Sequence, residues 1–391
     1  MLENIKKVDK KLLIMMGVLF GVILIIVIAF VIMSLSTGGT LSFEKIESKL
    51  ENAAERYYKD NDSALPKEIG ETIEIESSTL VSGGYISDLS EYTEENVVCS
   101  GKVLVGKIED GYDYVASLDC GDEYKTEFLY EKLIKEVTTS GNGLYKMEDV
   151  VVLGSSSDLG IDEDDYDLSS NELMSGYIYR GENVKNYIKL NDVKFQIVKI
   201  DGKNDFTVTI VKTKLKGAYD DRYNSDVSKD SGINDYEMSR AHEAIGQTYD
   251  SLSKESILKT KVARKNICIG ARSVDETSTD GSVECSKVMK NQSYSLIPAF
   301  DIMNASLSEN CTATIDKECG NYNYLISNNS HKNYWTATPA LENSYEAYRI
   351  MNGLANYRAN YTTIYKYVYY LSSRLVYVSG TGTENDPYIV K

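Results

Sequence analysis

The stretch KFQIVKIDGKNDFTVTIVK, Lys194–Lys212, sets the reading of the larger part of this chain. Phe, Ile, Val and Thr dominate both of its halves, side chains that suit a pleated, half-buried surface, and Asp-Gly between them is a tight-turn signal. Lys194–Ile200 and Phe206–Lys212 are therefore predicted strands joined at Asp201-Gly202, with Tyr187–Leu190 a further strand just before them. From Gly176 onward the chain reads as β-rich around a polar, helix-tending middle, Asn234–Lys261. Between Tyr345 and Tyr377 lie 9 of the 31 tyrosines, and Tyr365, Tyr367 and Tyr369 alternate as on one strand face.

Working toward the N-terminus, residues 135–176 are acidic, Ser-rich and poor in core side chains, which predicts a linker. Its Asp162 run imitates a calcium loop. With Asp162 first, the sixth and twelfth places hold Asp167 and Leu173, where Gly and Glu are needed. Lys102–Ile108 and Tyr112–Leu118 predict a hairpin around Glu109-Asp110-Gly111. Ser78–Val81 reads as a short helical piece ended by Gly83-Gly84. Ser42 can cap a helix in which Phe43, Ile46, Leu50, Ala53, Ala54 and Tyr57 recur at helical spacing, as far as Lys59-Asp60-Asn61.

Leu12–Leu35 is an uncharged run of 24 residues, and about 20 helical residues span a bilayer's hydrocarbon core. It is too long for the apolar region of a cleaved signal, about 7–15 residues. Lys6, Lys7, Lys10 and Lys11 against Glu3 and Asp9 put a net +2 on residues 1–11, which predicts a cytoplasmic tail. The whole chain carries −17, hence −19 beyond that tail. Such a surface repels nucleic acid, which is excluded as a partner. No cofactor is expected, and calcium is the one ion the acidity leaves open.

All six cysteines follow the apolar run and fall into neighbouring pairs: Cys99 with Cys120, Cys268 with Cys285, and Cys311 with Cys319. Six cysteines allow 15 connectivities, and neighbour pairing is expected because each pair brackets a short loop or hairpin. No Cys-x-x-Cys occurs and His242 and His331 are the only histidines, so structural zinc is not expected.

Two resemblances extend this reading. The apolar run, Leu50-Glu51-Asn52-Ala53-Ala54-Glu55-Arg56-Tyr57-Tyr58, the Leu65-Pro66 element and a small two-cysteine β head resemble a type IV pilin or pseudopilin over residues 10 to 130. The chain departs from that pattern in lacking a Glu within the apolar run, which prepilin processing and filament assembly use. Tyr177-Ile178-Tyr179-Arg180-Gly181, Asn186–Asn191, Asp220–Asn224, Tyr334-Trp335-Thr336-Ala337-Thr338-Pro339 and Ser379–Tyr388 resemble, in that order, the C-terminal domain of membrane-anchored surface proteins of low-GC Gram-positive bacteria. The Tyr-Trp-Thr region is remotely similar to C-type lectins and formylglycine-generating enzymes. Relatives carry Trp-Arg where Phe195-Gln196 stands here, and Arg-Pro-Val where Lys366-Tyr367-Val368 stands.

The expected fold class is α+β: a cytoplasmic tail (1–11), a transmembrane helix (12–35), a pilin-like helix with a small β head (41–134), the acidic linker (135–176) and a β-rich C-terminal domain (177–391). For chemistry, Ser239, His242 and Glu243 lie close on a predicted helix, a spacing better suited to a solvated face than to a triad assembled from distant segments. No Gly-x-Ser-x-Gly elbow, phosphate loop or dinucleotide fingerprint is present. The candidate ligand-binding residues are Tyr334, Trp335, Thr336, Tyr348 and Arg349, which offer stacking faces and hydrogen bonds. The expected function is a single-pass, non-enzymatic surface binding or adhesion protein, its C-terminal part outside the cell, with a glycan or protein ligand. An extracellular enzyme acting on glycan or peptide, and a pilus-like subunit, are the alternatives.

Overall fold

The computed structural model describes residues 40–147, 176–202, 206–221, 234–311, 317–327, 333–351 and 353–391. The tail 1–11, the apolar run Leu12–Leu35, the Asp162 run and His331 lie outside the described residues. The chain divides into two compact units, each built from separate pieces. One takes residues up to Asp60 with Ile75–Val103 and Ala116–Lys125, and the other takes Asn61–Glu74, Leu104–Val115 and Thr126–Lys391.

The smaller unit is organised by the amphipathic helix α1 (Phe43–Asp60), whose Ile46, Leu50, Ala53, Ala54 and Tyr58 are buried. Its Glu47 accepts from Tyr124 Oη at 2.8 Å and Glu51 accepts from the Ala116 amide at 3.0 Å. Strands β1 (Thr72–Glu76), β2 (Ser100–Ile108) and β3 (Gly111–Asp119) form a three-stranded sheet in that order. The Cys99–Cys120 disulfide closes the open end of the β2–β3 hairpin, as expected.

The larger unit is built on a 12-stranded sheet. Its strands are β4 (Gly143–Lys146), β5 (Gly176–Arg180), β6 (Tyr187–Leu190), β7 (Val193–Asp201) and β8 (Thr207–Ala218), then β11 (Tyr294–Leu296), β12 (Asn333–Pro339), β13 (Glu346–Met351), β14 (Leu354–Arg358), β15 (Thr362–Leu371), β16 (Tyr377–Ser379) and β17 (Tyr388–Val390). β9 (Lys265–Cys268) and β10 (Val288–Gln292) form a separate antiparallel pair. The main path runs β14-β13-β12-β15-β8-β7-β6-β17-β16, with β12 to β15 and β17 to β6 parallel. Central β15 is buried on both faces: Tyr365, Tyr367 and Tyr369 on one, Lys366, Val368 and Tyr370 on the other.

The α+β expectation is overturned. Sheet dominates the described residues, and helices are few beside it, α1 alone exceeding 11 residues. The polar middle yields only Arg240–Asp250 and Ile257–Thr260 as helix. The physical reason is that β-branched and aromatic side chains pair across strands far apart in the chain, which local periodicity does not register. Gly143–Lys146, assigned by composition to the linker, is likewise a strand paired with β5. Among the described residues, no helix is long and apolar enough to cross a membrane.

One contact inside the larger unit shows how tightly its charges are placed. Arg374 is fully buried; its Nε donates to Asp113 at 3.1 Å, Nη1 to Thr72 Oγ1 at 2.6 Å and Nη2 to the Thr260 carbonyl at 3.2 Å. Lys261 adds a second cation to Asp113 at 2.9 Å. Gly106 makes this possible, because a Cβ there would lie 1.6 Å from Nη1 of Arg374.

Candidate functional site

β12 and β13 pair antiparallel with Trp335 opposite Arg349 and Tyr334 opposite Ile350. Directly opposed residues share a sheet face and successive ones alternate. The five expected site residues are therefore brought onto neighbouring strands but split between faces, Trp335 and Arg349 on one, Tyr334 and Tyr348 on the other. All five are buried. Trp335 donates its indole N–H to the Tyr361 carbonyl at 3.1 Å and lies edge-on to Tyr219 with ring centroids 5.6 Å apart. Tyr334 donates to the Leu325 carbonyl at 2.8 Å, Tyr348 to the Arg272 carbonyl at 3.3 Å, and Thr336 to the Tyr348 carbonyl at 2.8 Å. Burial holds the phenols of Tyr334 and Tyr348 above their ordinary pKa, so both remain donors. The indole and phenol rings expected to stack on a ligand are thus committed to the core.

Arg349 is different. β14 pairs with β13 so that Ala355 faces Arg349 and Tyr357 faces Ala347. The two small alanines leave room on this face for a long cation and a ring. The guanidinium carbon lies 3.6 Å from the Tyr357 ring centroid and 4.5 Å from that of Tyr361. Nη2 touches Met351 Sδ at 3.1 Å, while Nε and Nη1 have no hydrogen-bond partner among the described residues. Arg349 is 3 % exposed, whereas Tyr357, Tyr361 and Met351 are 37 %, 44 % and 46 % exposed. The nearby carboxylate on β13, Glu346, serves the other face, where it accepts from Asn343 and Asn356 at 2.9 Å each. β14 ends the main strand path, so this box sits at a sheet edge.

A buried guanidinium N–H left unpaired costs about 1–3 kcal/mol. Stacking against a ring returns part of that cost, roughly 0.5–2 kcal/mol per contact depending on desolvation. A carboxylate oxygen would satisfy one of these N–H groups, Nε or Nη1, and its second oxygen would reach Nη2 once that nitrogen leaves Met351. The exposed sides of Tyr357 and Tyr361 offer apolar ring area next to it. Arg349 was legible as a candidate; Tyr357, Tyr361 and Met351 were not, because only the β13–β14 register brings them to it. The tyrosine density after residue 345 was the one available signal.

The remaining candidates are placed elsewhere. Ser239 Oγ accepts from the His242 amide at 3.1 Å and donates to the Tyr236 carbonyl at 2.7 Å, a helix cap. The His242 ring stacks on Tyr294 at 5.5 Å, burial lowers its pKa, and Glu243 pairs with Arg240 at 2.6 Å. Those three side chains thus form no proton relay with one another. Lys366 is buried with its amine donating to the Leu325 carbonyl and 4.5 Å from the Tyr334 ring, and burial pulls its pKa to about 7. Cys268–Cys285 and Cys311–Cys319 are bonded as expected, so the described cysteines are built for an oxidising environment. Among the described residues, no group of three or more His, Cys, Asp or Glu is placed to hold a metal ion.

No protein-family model matches this chain, and neither a curated protein nor a solved structure matches it.

Proposed function

We propose that this chain is a non-enzymatic extracytoplasmic binding protein whose Arg349 box takes the carboxylate of an acidic glycan, with Leu12–Leu35 as its attachment to a membrane. The observation that carries the reading is one side chain. Arg349 is almost wholly buried, lies over the rings of Tyr357 and Tyr361, and finds no hydrogen-bond partner for Nε and Nη1 among the described residues. Binding would swing one tyrosine ring off the guanidinium, pair the carboxylate with Nη2 and one of Nε and Nη1, and lay the sugar's apolar face on the ring. The −17 charge of the chain disfavours dense polyanions and nucleic acid at long range, which fits a ligand with sparse carboxylates.

The test is a titration of the full-length protein with a uronic-acid oligosaccharide and its neutral counterpart, beside Arg349→Met. The acidic sugar should bind, the neutral one should bind at least about tenfold more weakly, and the variant should lose the distinction. Equal binding of both sugars, or an unaffected Arg349→Met, would overturn the assignment.

A further inference from the structure

A cluster of four buried charges lies elsewhere in the larger unit. Lys199 on β7 places Nζ 2.9 Å from Oδ1 of Asp301, on the helix Ala299–Asn304, across 102 residues of chain. Their side chains are 6 % and 3 % exposed. Asp201, two residues along β7 and so on the same face, lies 3.4 Å from the same amine. Lys265 on β9 pairs with Asp201 at 2.5 Å, and Thr209 Oγ1 donates to its other oxygen at 2.8 Å. The Phe300 ring covers the Lys199 amine at 5.1 Å. Beside the pair is a cavity of about 20 Å³, lined by Lys199, Lys265, Ser295, Phe300, Asp301 and Tyr370, which is room for one water.

Ion pairs buried this deeply often stabilise no more than apolar side chains of the same volume, so their retention asks for another reason. We propose that Lys199 and Asp301 condense into an intramolecular amide, with Asp201 as the proton relay. Burial pushes the Asp301 carboxyl up toward its neutral form. Against the cost of its own burial, Asp201 is held below the ordinary carboxylate range by Lys199 and Lys265. The two carboxyls are thereby separated into an acid and an anion, the division of labour that proton transfer needs. At rest the Lys199 amine is charged: burial opposes the charge, and Asp201 and Asp301 more than offset it.

The bonds balance without a co-reactant. Nζ first yields a proton to Asp301, leaving a neutral amine against a neutral acid, a pair that low dielectric favours over two ions. The amine lone pair attacks Cγ of Asp301 and the C–N bond forms. A second proton passes from nitrogen through Asp201 to the Asp301 hydroxyl, the C–O bond breaks, and water departs into the adjoining cavity. Ammonium and carboxylate become amide and water, with no change of oxidation state. Fixed proximity supplies most of what such a condensation requires.

Intact mass of the full-length, disulfide-bonded protein decides the matter. The expected value is one water below the mass of the chain with its three disulfides, and reduction should not restore that water. Proteolysis should yield one branched peptide joining the segments around Lys199 and Asp301, with no tryptic cleavage after Lys199. Lys199→Arg and Asp301→Ala should recover the full mass. Asp201→Asn, which keeps both reacting groups, should slow the bond's appearance at least about a hundredfold. Full mass in the unaltered protein, or a branch mapped to another pair such as Lys265 and Asp201, would overturn the proposal whatever the variants do. Undiminished cross-linking in Asp201→Asn would remove the relay.

Discussion

Arg374 and Arg349 are both buried arginines of the larger unit, and they are treated in opposite ways. Around Arg374 the fold supplies a carboxylate, a hydroxyl and a carbonyl, and each nitrogen finds an acceptor. Around Arg349 it supplies two ring faces and a thioether, and two nitrogens are left unpaired among the described residues. Gly106 is shaped to admit the first cation, while the rim over the second is exposed tyrosine and methionine. The contrast teaches that burial alone does not mark a structural charge. What separates the two is whether the protein itself completes the hydrogen-bonding geometry of the group it buries.

The strongest way to break this comparison is at the completed site. Arg374→Met leaves Asp113 with Lys261 alone and should lower unfolding stability by about 3 kcal/mol, read from the urea midpoint. An unchanged midpoint would mean that the paired arginine is no more structural than the unpaired one. Lys366 supplies the next test, as a buried cation that no carboxylate is seen to pair among the described residues. Its pKa of about 7 stands against an ordinary 10.5. Between those values the unfolded chain binds the extra proton, so this residue's contribution to stability rises with pH from 7 to 10.5 and its full penalty is felt below 7. Lys366→Met should therefore stabilise the protein by about 2 kcal/mol at pH 6.5, an advantage that shrinks by pH 9 in paired denaturant titrations.

Arg349→Met should change stability by less than about 1 kcal/mol, because orphaned donors and two stacking contacts disappear together. A loss as large as that for Arg374→Met would make Arg349 a structural cation and remove the distinction. The smallest effect is expected for Tyr361→Ala, which keeps the guanidinium and removes one ring. Acidic-sugar affinity should fall by roughly 1 kcal/mol with little change in the unfolding midpoint. A matching fall in stability would show that the ring serves the core and not the ligand.

Much of the local structure was legible in the chain. Strands β7 and β8, the β2–β3 hairpin, α1 and the three neighbouring disulfides follow from strand composition, turn chemistry, helical spacing and cysteine proximity. The α+β class did not survive, since pairings such as β12 beside β15 or β17 beside β6 join segments that no sequence window contains together. Trp335 read as an open stacking face because a lone tryptophan in a polar surrounding looks exposed. The indole instead packs edge-on against Tyr219 and donates its N–H to the Tyr361 carbonyl. Arg349 was found, but its partners were hidden by the same register.

By itself the sequence determined the acidic charge, the oxidised cysteine pairs and the strand and turn chemistry, all properties of residues near one another along the chain. Tertiary structure alone decided which buried cations are completed and which are left open. That depends on acceptors such as Asp113 and Thr72 arriving at Arg374 from more than 250 positions away, and on none among the described residues arriving at Nε and Nη1 of Arg349. A hydrogen bond is satisfied within about 3 Å, a distance that separation along a chain does not encode.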